Sequence, residues 1–298
     1  MSSRPVKGAL IGAGGMLARM IREVSPDHYQ WSDFDLPAFD LTVRGQVLSE
    51  VGRGGFDLIV NCAAYTNVDG CESDVALANR VNGDGPGFLA EAAKLSGAAL
   101  VHISTDYVFD GTAQTPYDEA ARPRPRSAYG RSKLLGEEEI LASGLEKALI
   151  VRTSWLFGPG GKNFVETMLR LATEREELRV VDDQVGSPTY TEDLARAIFA
   201  LLEGRHWGLF HFANAGVCSW YGFSREILRQ YLASGGEVKL RDHLAITSAD
   251  YPLPAQRPAY SVLNCEKYRT VSGASIPTWE EALGRYLVRR RQLNRPRH

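Results

Sequence analysis

Short apolar runs alternate with longer stretches whose apolar positions recur every three or four residues through the first half of the chain. The runs are Val6 to Ile11, Tyr29 to Ser32, Asp57 to Cys62, Ala99 to Ser104 and Ala148 to Thr153. Their near-continuous apolar character predicts strands covered on both faces, which in turn means a parallel sheet built from right-handed βαβ units. Between them, Met16, Leu17, Met20, Ile21 and Val24 mark one buried helical face, and Ala76 to Val81 and Gly87 to Leu95 read as two further helices. The pattern predicts an α/β fold, a Rossmann-type doubly wound parallel sheet.

After Phe157 the alternation loosens. Gly158-Pro159-Gly160-Gly161 breaks the chain, Asn163 to Glu174 reads as a helix, Arg179 to Val181 as a strand, Thr191 to Leu202 as a helix and Leu209 to Ala213 as a strand. Pro252 to Pro258 is a proline-interrupted loop. This predicts a dinucleotide-binding domain from 1–157 with 189–213, and a smaller, discontinuous C-terminal substrate domain from 158–188 with 214–298.

Composition adds exclusions. With 298 residues, 44% of them hydrophobic, the chain can bury a sizeable core. A net charge of -2 gives no overall electrostatic footprint for nucleic acid or an anionic membrane, and favours a small-molecule substrate. Without a signal-like start or an apolar stretch of about 18 residues, a cytoplasmic location is expected. Cys62, Cys71, Cys218 and Cys265 lack CxxC spacing and read as reduced packing residues. The basic tail from Arg289 to Arg297 reads as a solvated, frayed terminus.

Two segments carry chemistry. Gly12-Ala13-Gly14-Gly15-Met16-Leu17-Ala18 lies between the first strand and the first helix, where glycines let backbone amides approach a pyrophosphate. Asp33 and Asp35 follow the second strand, placed to bind the adenosine ribose and favouring NADH, whereas Arg19 could reach a 2'-phosphate. The cofactor choice therefore stays open between NADPH and NADH. The second segment is Tyr129-Gly130-Arg131-Ser132-Lys133, in which the only tyrosine of the twelve with a lysine four residues on shares a helix face with it. A nearby ammonium lowers the phenol pKa towards neutrality and makes it a proton donor to a carbonyl being reduced, while the lysine can also hold the nicotinamide ribose. Thr105 ends the preceding strand and could hydrogen-bond that carbonyl oxygen. Asn61-Cys62-Ala63-Ala64-Tyr65-Thr66 is small enough for a cofactor to lie flat across it, and His102, inside an apolar run, reads as a hydrogen-bonded core histidine.

Together, Ser104 to Gly111, Tyr129 to Lys133 and Arg152-Thr153-Ser154-Trp155 resemble the dTDP-4-dehydrorhamnose reductase family. The likeness extends through Asn61 to Asp69, Asn163 to Arg170, Asp183-Gln184, Gly186 to Thr189 and Arg257 to Ser261. It implies reduction of the C4 ketone of dTDP-4-dehydro-6-deoxy-L-mannose to dTDP-L-rhamnose, with Thr105, Tyr129 and Lys133 catalytic. It also implies cofactor contacts from Gly12, Gly14, Gly15, Met16, Leu17, Asp40, Leu41, Ala63, Ala64 and Tyr65, so that Asp40 competes with Asp33 as the adenosine-side acid. Thr66, Val68, Asp106, Tyr107 and Trp155 would line the sugar pocket, with Asn163 and Arg257 on the nucleotide side. Ala18 stands where the third glycine often falls, a tolerated replacement. Some relatives dimerise through magnesium held by glutamates; Glu192, Glu280 and Glu281 are the candidates here, but no metal is expected, and the chain is expected to be a monomer or homodimer. Two competing readings are a nucleotide-sugar epimerase or dehydratase on the same scaffold, and a noncatalytic dinucleotide-binding regulatory subunit.

Overall fold

The computed structural model describes residues 4–293. Six parallel strands form the central sheet: β1 (Val6–Ile11), β2 (Tyr29–Phe34), β3 (Leu58–Asn61), β4 (Ala99–Thr105), β5 (Ala148–Thr153) and β6 (Gly208–His211). Their spatial order is β6-β5-β4-β3-β1-β2, so the strand sequence reverses between β1 and β3. Ligands of open α/β sheets sit at such a switch point, beyond the carboxyl ends of the strands.

Both sheet faces are apolar because alternate residues of one strand feed different cores. Leu10, Leu58, Val60, Val101, Leu149 and Val151 belong to one cluster, and Ala9, Ile11, Ile59, Leu100 and Ile150 to the other. This is why the strand runs read as continuous rather than alternating. Helix α1 (Met16–Val24) buries Leu17, Ala18, Met20 and Ile21 against the first cluster.

The two short helices expected between β3 and β4 are one unbroken helical run. Val75–Asn79 passes through wider, π-type turns at Arg80–Asp84 into α2 (Gly85–Ser96). Gly83, Gly85 and Pro86 suggest a break, yet Pro86 follows directly on the wider π-type turns and the run continues through it. The next helix, α3 (Ala128–Ala142), begins where Ser127 Oγ accepts the Gly130 amide at 3.1 Å.

The later elements are α4 (Phe164–Glu174), α5 (Thr191–Glu203), α6 (Trp220–Ala233) and α7 (Trp279–Leu293). A second core gathers Phe157, Val165, Leu169, Tyr190, Phe223 and Leu283. Glu177–Val181 is a strand, paired in parallel with Asp242–Ile246, which has no clear sequence signature. Leu263, Cys265, Tyr268 and Ile276, although expected with the smaller domain, pack into the first core of the large sheet.

The basic C-terminal run is not simply solvated. Arg289 pairs with Glu23 at the end of α1, and Arg290 Nε donates to Glu166 at 2.7 Å. The remainder of that run, Asn294 to His298, lies outside the described residues.

Candidate active site

The switch point is built from backbone. Gly12 has φ +73°, which suits glycine, and a Cβ there would come within 2.7 Å of the Ala63 amide nitrogen. The loop thus packs directly on the end of β3. Gly15 is the N-cap of α1 and no side chain caps that helix, so its first-turn amides at Met16 and Leu17 remain available to an anion. These features fit a dinucleotide pyrophosphate.

Of the acids considered for the adenosine side, Asp35 is the one against the loop, its Oδ2 accepting the Gly14 amide at 2.7 Å. Asp33 is turned to Arg22, and Asp40 caps its own turn through Thr42, with Leu41 buried beside it. Arg19 Nε donates to the Gly14 carbonyl at 3.0 Å. Ala64 and Tyr65 continue the edge from Ala63, and Tyr65 is held at both backbone atoms by Asn82, whose Oδ1 accepts its amide at 2.8 Å and whose Nδ2 donates to its carbonyl at 3.1 Å. Asn82 is fully buried and also donates to Ser132 Oγ at 3.0 Å, tying the cofactor edge to α3. Sequence reasoning missed it, because it sits in the π-type turns where helical periodicity gives no phase.

Tyr129 and Lys133 occupy one face of α3, which leans on the end of β4. The approach is close enough that a Cβ on Gly130 would overlap the Tyr107 carbonyl oxygen. Tyr107 and Tyr129 meet edge to face, with centroids 5.5 Å apart. Thr105 Oγ1 accepts the Tyr107 amide at 3.2 Å and donates to Asp106 Oδ1 at 3.0 Å. No hydrogen bond reaches the other Asp106 oxygen, Oδ2, although it is buried. Burial pushes this acid up to about 6, against the pull of the Ser261 and Thr105 hydroxyls.

Burial also raises the Tyr129 phenol above its ordinary value, with the Thr105 hydroxyl opposing. The expected lowering by Lys133 does not occur in this structure. The lysine Nζ instead donates to the Ile103 carbonyl at 2.7 Å and lies 3.2 Å from His102 Nε2. Burial brings Lys133 down to about 8, with Glu137 and Cys62 opposing. Tyr129 is therefore a firmly protonated phenol, which is the form a proton donor needs.

Strand register explains the layer beneath. Asn61 on β3 faces His102 on β4, and Ser104 faces Arg152 on β5. His102 and Ser104, two residues apart, meet Lys133 and Glu137, four apart on α3, since two strand residues and one helical turn span similar lengths. Glu137 and Arg152, 2% and 3% exposed, form a pair at 2.6 Å joined by Ser104. Glu137 is unmarked in the sequence, and Arg152 stands there only as part of the Arg152-Thr153-Ser154-Trp155 motif, without a role.

Arg257 is placed at the C-terminal side of the site, but its guanidinium fork is occupied by Asp69, at 2.9 and 2.7 Å. Its charge still acts on the Tyr107 phenol. Thr66 is exposed and Val68 opens the short helix Val68–Ser73. Trp155, at φ +47°, stacks on Trp220 at 3.5 Å. Asn163 caps α4 with Oδ1 and gives Nδ2 to the Gly158 carbonyl at 2.9 Å, also touching Met16, so both of its polar atoms serve the loop it starts. A cleft of 980 Å³ runs from Arg257 and Ala259 past Tyr251 to Trp220, Phe164 and Arg179; Thr105, Tyr129 and Lys133 lie outside its lining.

Glu192 is paired with Arg196 at 2.9 Å, and Glu281 lies in the same shallow groove as Glu192, beside Arg285 and Arg289. Among the described residues, no three His, Cys, Asp or Glu side chains converge as a metal site, and no helix is long and apolar enough to cross a membrane. All four cysteines are unpaired.

A tyrosine and a lysine one turn apart, carried by their helix to the strand ends beside a dinucleotide loop, place this fold and site among the short-chain dehydrogenases/reductases. The RmlD substrate binding domain family matches residues 8–292. The chain belongs to the dTDP-4-dehydrorhamnose reductase family. It is 40% identical to a dTDP-4-dehydrorhamnose reductase of Sinorhizobium fredii, covering 93% of this chain and 95% of that one. It is 41% identical to the spore coat polysaccharide biosynthesis protein SpsK of Bacillus subtilis, covering 95% and 98% respectively. The solved dTDP-4-dehydrorhamnose reductase of Bacillus anthracis, in complex with NADP, superposes with a TM-score of 0.90 at 38% identity, covering 96% of this chain and 99% of that one.

Proposed function

We propose that this chain reduces the C4 ketone of dTDP-4-dehydro-6-deoxy-L-mannose to dTDP-L-rhamnose, using NADPH or NADH. The observation that carries this reading is the half-buried phenol of Tyr129 beside Thr105 and the unpartnered Asp106 Oδ2, at the strand ends that flank the dinucleotide loop. The nicotinamide supplies hydride to the ketone carbon. Tyr129 supplies the proton to the ketone oxygen, and Thr105 orients that oxygen once its hydroxyl turns from Asp106. Asp106 Oδ2 is an acceptor for a sugar hydroxyl, in a site where an unsatisfied buried oxygen otherwise costs about 1–3 kcal/mol. Lys133 holds the nicotinamide ribose, and the open amides of Met16 and Leu17 receive the pyrophosphate.

Residues 1–157 with 189–213 carry the cofactor in this reading, and 158–188 with 214–298 close over the nucleotide sugar. The cleft lined by Arg179, Trp220 and Tyr251 has the aromatic and guanidinium groups that a nucleoside diphosphate requires, with the Arg257 fork already taken by Asp69. The test is absorbance at the reduced-nicotinamide band while the purified protein meets the 4-keto sugar generated in place, with NADPH and NADH tried separately. Stoichiometric consumption that Tyr129→Phe abolishes supports the assignment. Cofactor binding without consumption would overturn it.

A further inference from the structure

We propose that His102 is a positioning residue which parks Lys133 as an uncharged amine and releases it when the amine takes up a proton, so that cofactor binding and proton uptake are linked. This rests on Lys133 being the ribose-holding lysine of the reading above. The argument is one of donors and acceptors. Asn61 Oδ1 accepts the Ala63 amide at 3.0 Å, which fixes the orientation of that side-chain amide. Asn61 Nδ2, a donor only, then faces His102 Nδ1 at 3.1 Å, so Nδ1 must accept. A neutral imidazole with an accepting Nδ1 carries its hydrogen on Nε2. That hydrogen points at Lys133 Nζ, 3.2 Å away.

Only an amine with a free lone pair can accept it. An ammonium at the same place would set donor against donor, and the imidazole cannot invert its tautomer without setting Nδ1–H against the Asn61 amide hydrogens. His102 cannot relieve the conflict by charging, because burial holds it well below its ordinary value. The groups facing Lys133 are His102 from β4, Cys62 from the end of β3, and Glu137 from its own helix, whose charge is already matched by Arg152 on β5. Burial pushes the Cys62 thiol up to about 12, so it stays neutral near pH 8, where Lys133 titrates. A protonated Lys133 therefore leaves His102, and the ribose hydroxyls of a bound dinucleotide offer the acceptors it lacks there. Ala63 anchors both Asn61 and the glycine loop, which couples the parked position to the cofactor edge.

The measurement is proton uptake on binding of NADPH to the full chain at pH 8.5, by calorimetry in two buffers of different ionisation enthalpy. The wild type should take up roughly half a proton or more per cofactor. Two variants remove the parking contact by different routes. His102→Gln can turn an amide oxygen to the ammonium, and Asn61→Asp keeps the bond to Ala63 while forcing the hydrogen onto Nδ1. Burial still lowers Lys133 in both, so uptake should fall clearly below the wild-type value without vanishing. A merely structural His102 would lower thermal stability in the variants and leave the proton count as in the wild type. Equal uptake in all three proteins, or none in the wild type, overturns the proposal, and since no sugar is present the result is independent of the substrate assignment.

Discussion

Arg257 grips Asp69 with both terminal nitrogens, so a C-terminal loop is latched to the segment that follows β3. The latch holds the carboxyl of Asp69 below its usual range, with Arg257 the main cause. Its stability is therefore present above the ordinary carboxylate value and is lost as pH falls through the lowered one. Both partners are partly exposed, so solvent screening keeps the contribution to about 1 kcal/mol or less. Asp69→Asn should lower the melting temperature slightly and raise KM for the nucleotide sugar several-fold with little change for the cofactor, as steady-state kinetics can check.

Tyr129→Phe removes the proton donor and leaves the glycine loop intact. Turnover should fall by about 10²–10⁴-fold while the dissociation constant for NADPH, from fluorescence titration, changes little. Because burial raises the phenol, its deprotonation should not shape the alkaline limb. In kcat/KM for the cofactor, which reports the free enzyme, that limb should fall near 8, where Lys133 loses its charge.

Lys133 also affects stability. A base with a lowered folded-state value opposes folding wherever the unfolded chain keeps the proton, so the cost is full below about 8 and fades as pH rises to the ordinary 10.5. Lys133→Met should abolish activity yet raise the melting temperature at pH 7, by more than at pH 10. Scanning calorimetry at both values decides this.

Glu137→Gln should cost about 3–5 kcal/mol in urea unfolding, because it leaves Arg152 buried without its counter-charge. Replacing both members, Glu137→Gln with Arg152→Met, should recover a large part of that loss.

Gly130→Ala puts a methyl group into the Tyr107 carbonyl, so α3 must move away from β4. A loss of about 1–3 kcal/mol is expected, with a fall in kcat larger than the change in KM, since the shift carries Tyr129 with it. Equal effects on both constants would argue against this packing account.

Strand positions β1 and β3 to β5 were legible because burial on both faces leaves uninterrupted apolar runs, β2 at the sheet edge because its residues alternate, and the glycine loop and the Tyr129–Lys133 pair because their spacing has chemical meaning. The charge state of Tyr129 was not. Spacing on a helix shows that a lysine can approach a tyrosine, but where its side-chain nitrogen rests depends on His102 and the Ile103 carbonyl, which β4 brings from another part of the chain. Asn82 was hidden in π-type turns, and Glu137 and Arg152 become meaningful only when strand register sets Ser104 between them. The resemblance puts Arg257 on the nucleotide side, and only tertiary contact reveals that Asp69 fills its guanidinium fork.

The chain passes back and forth between the large sheet and the smaller core, leaving at Phe157, returning at Thr189, leaving again after Ala213, sending Leu263 to Ile276 back to the sheet and ending in α7. A door hung on hinges all along its edge cannot swing on one of them. Closure over a substrate must be a small rotation shared among these crossings, and limited proteolysis at any one of them should nick the chain without releasing a separable half.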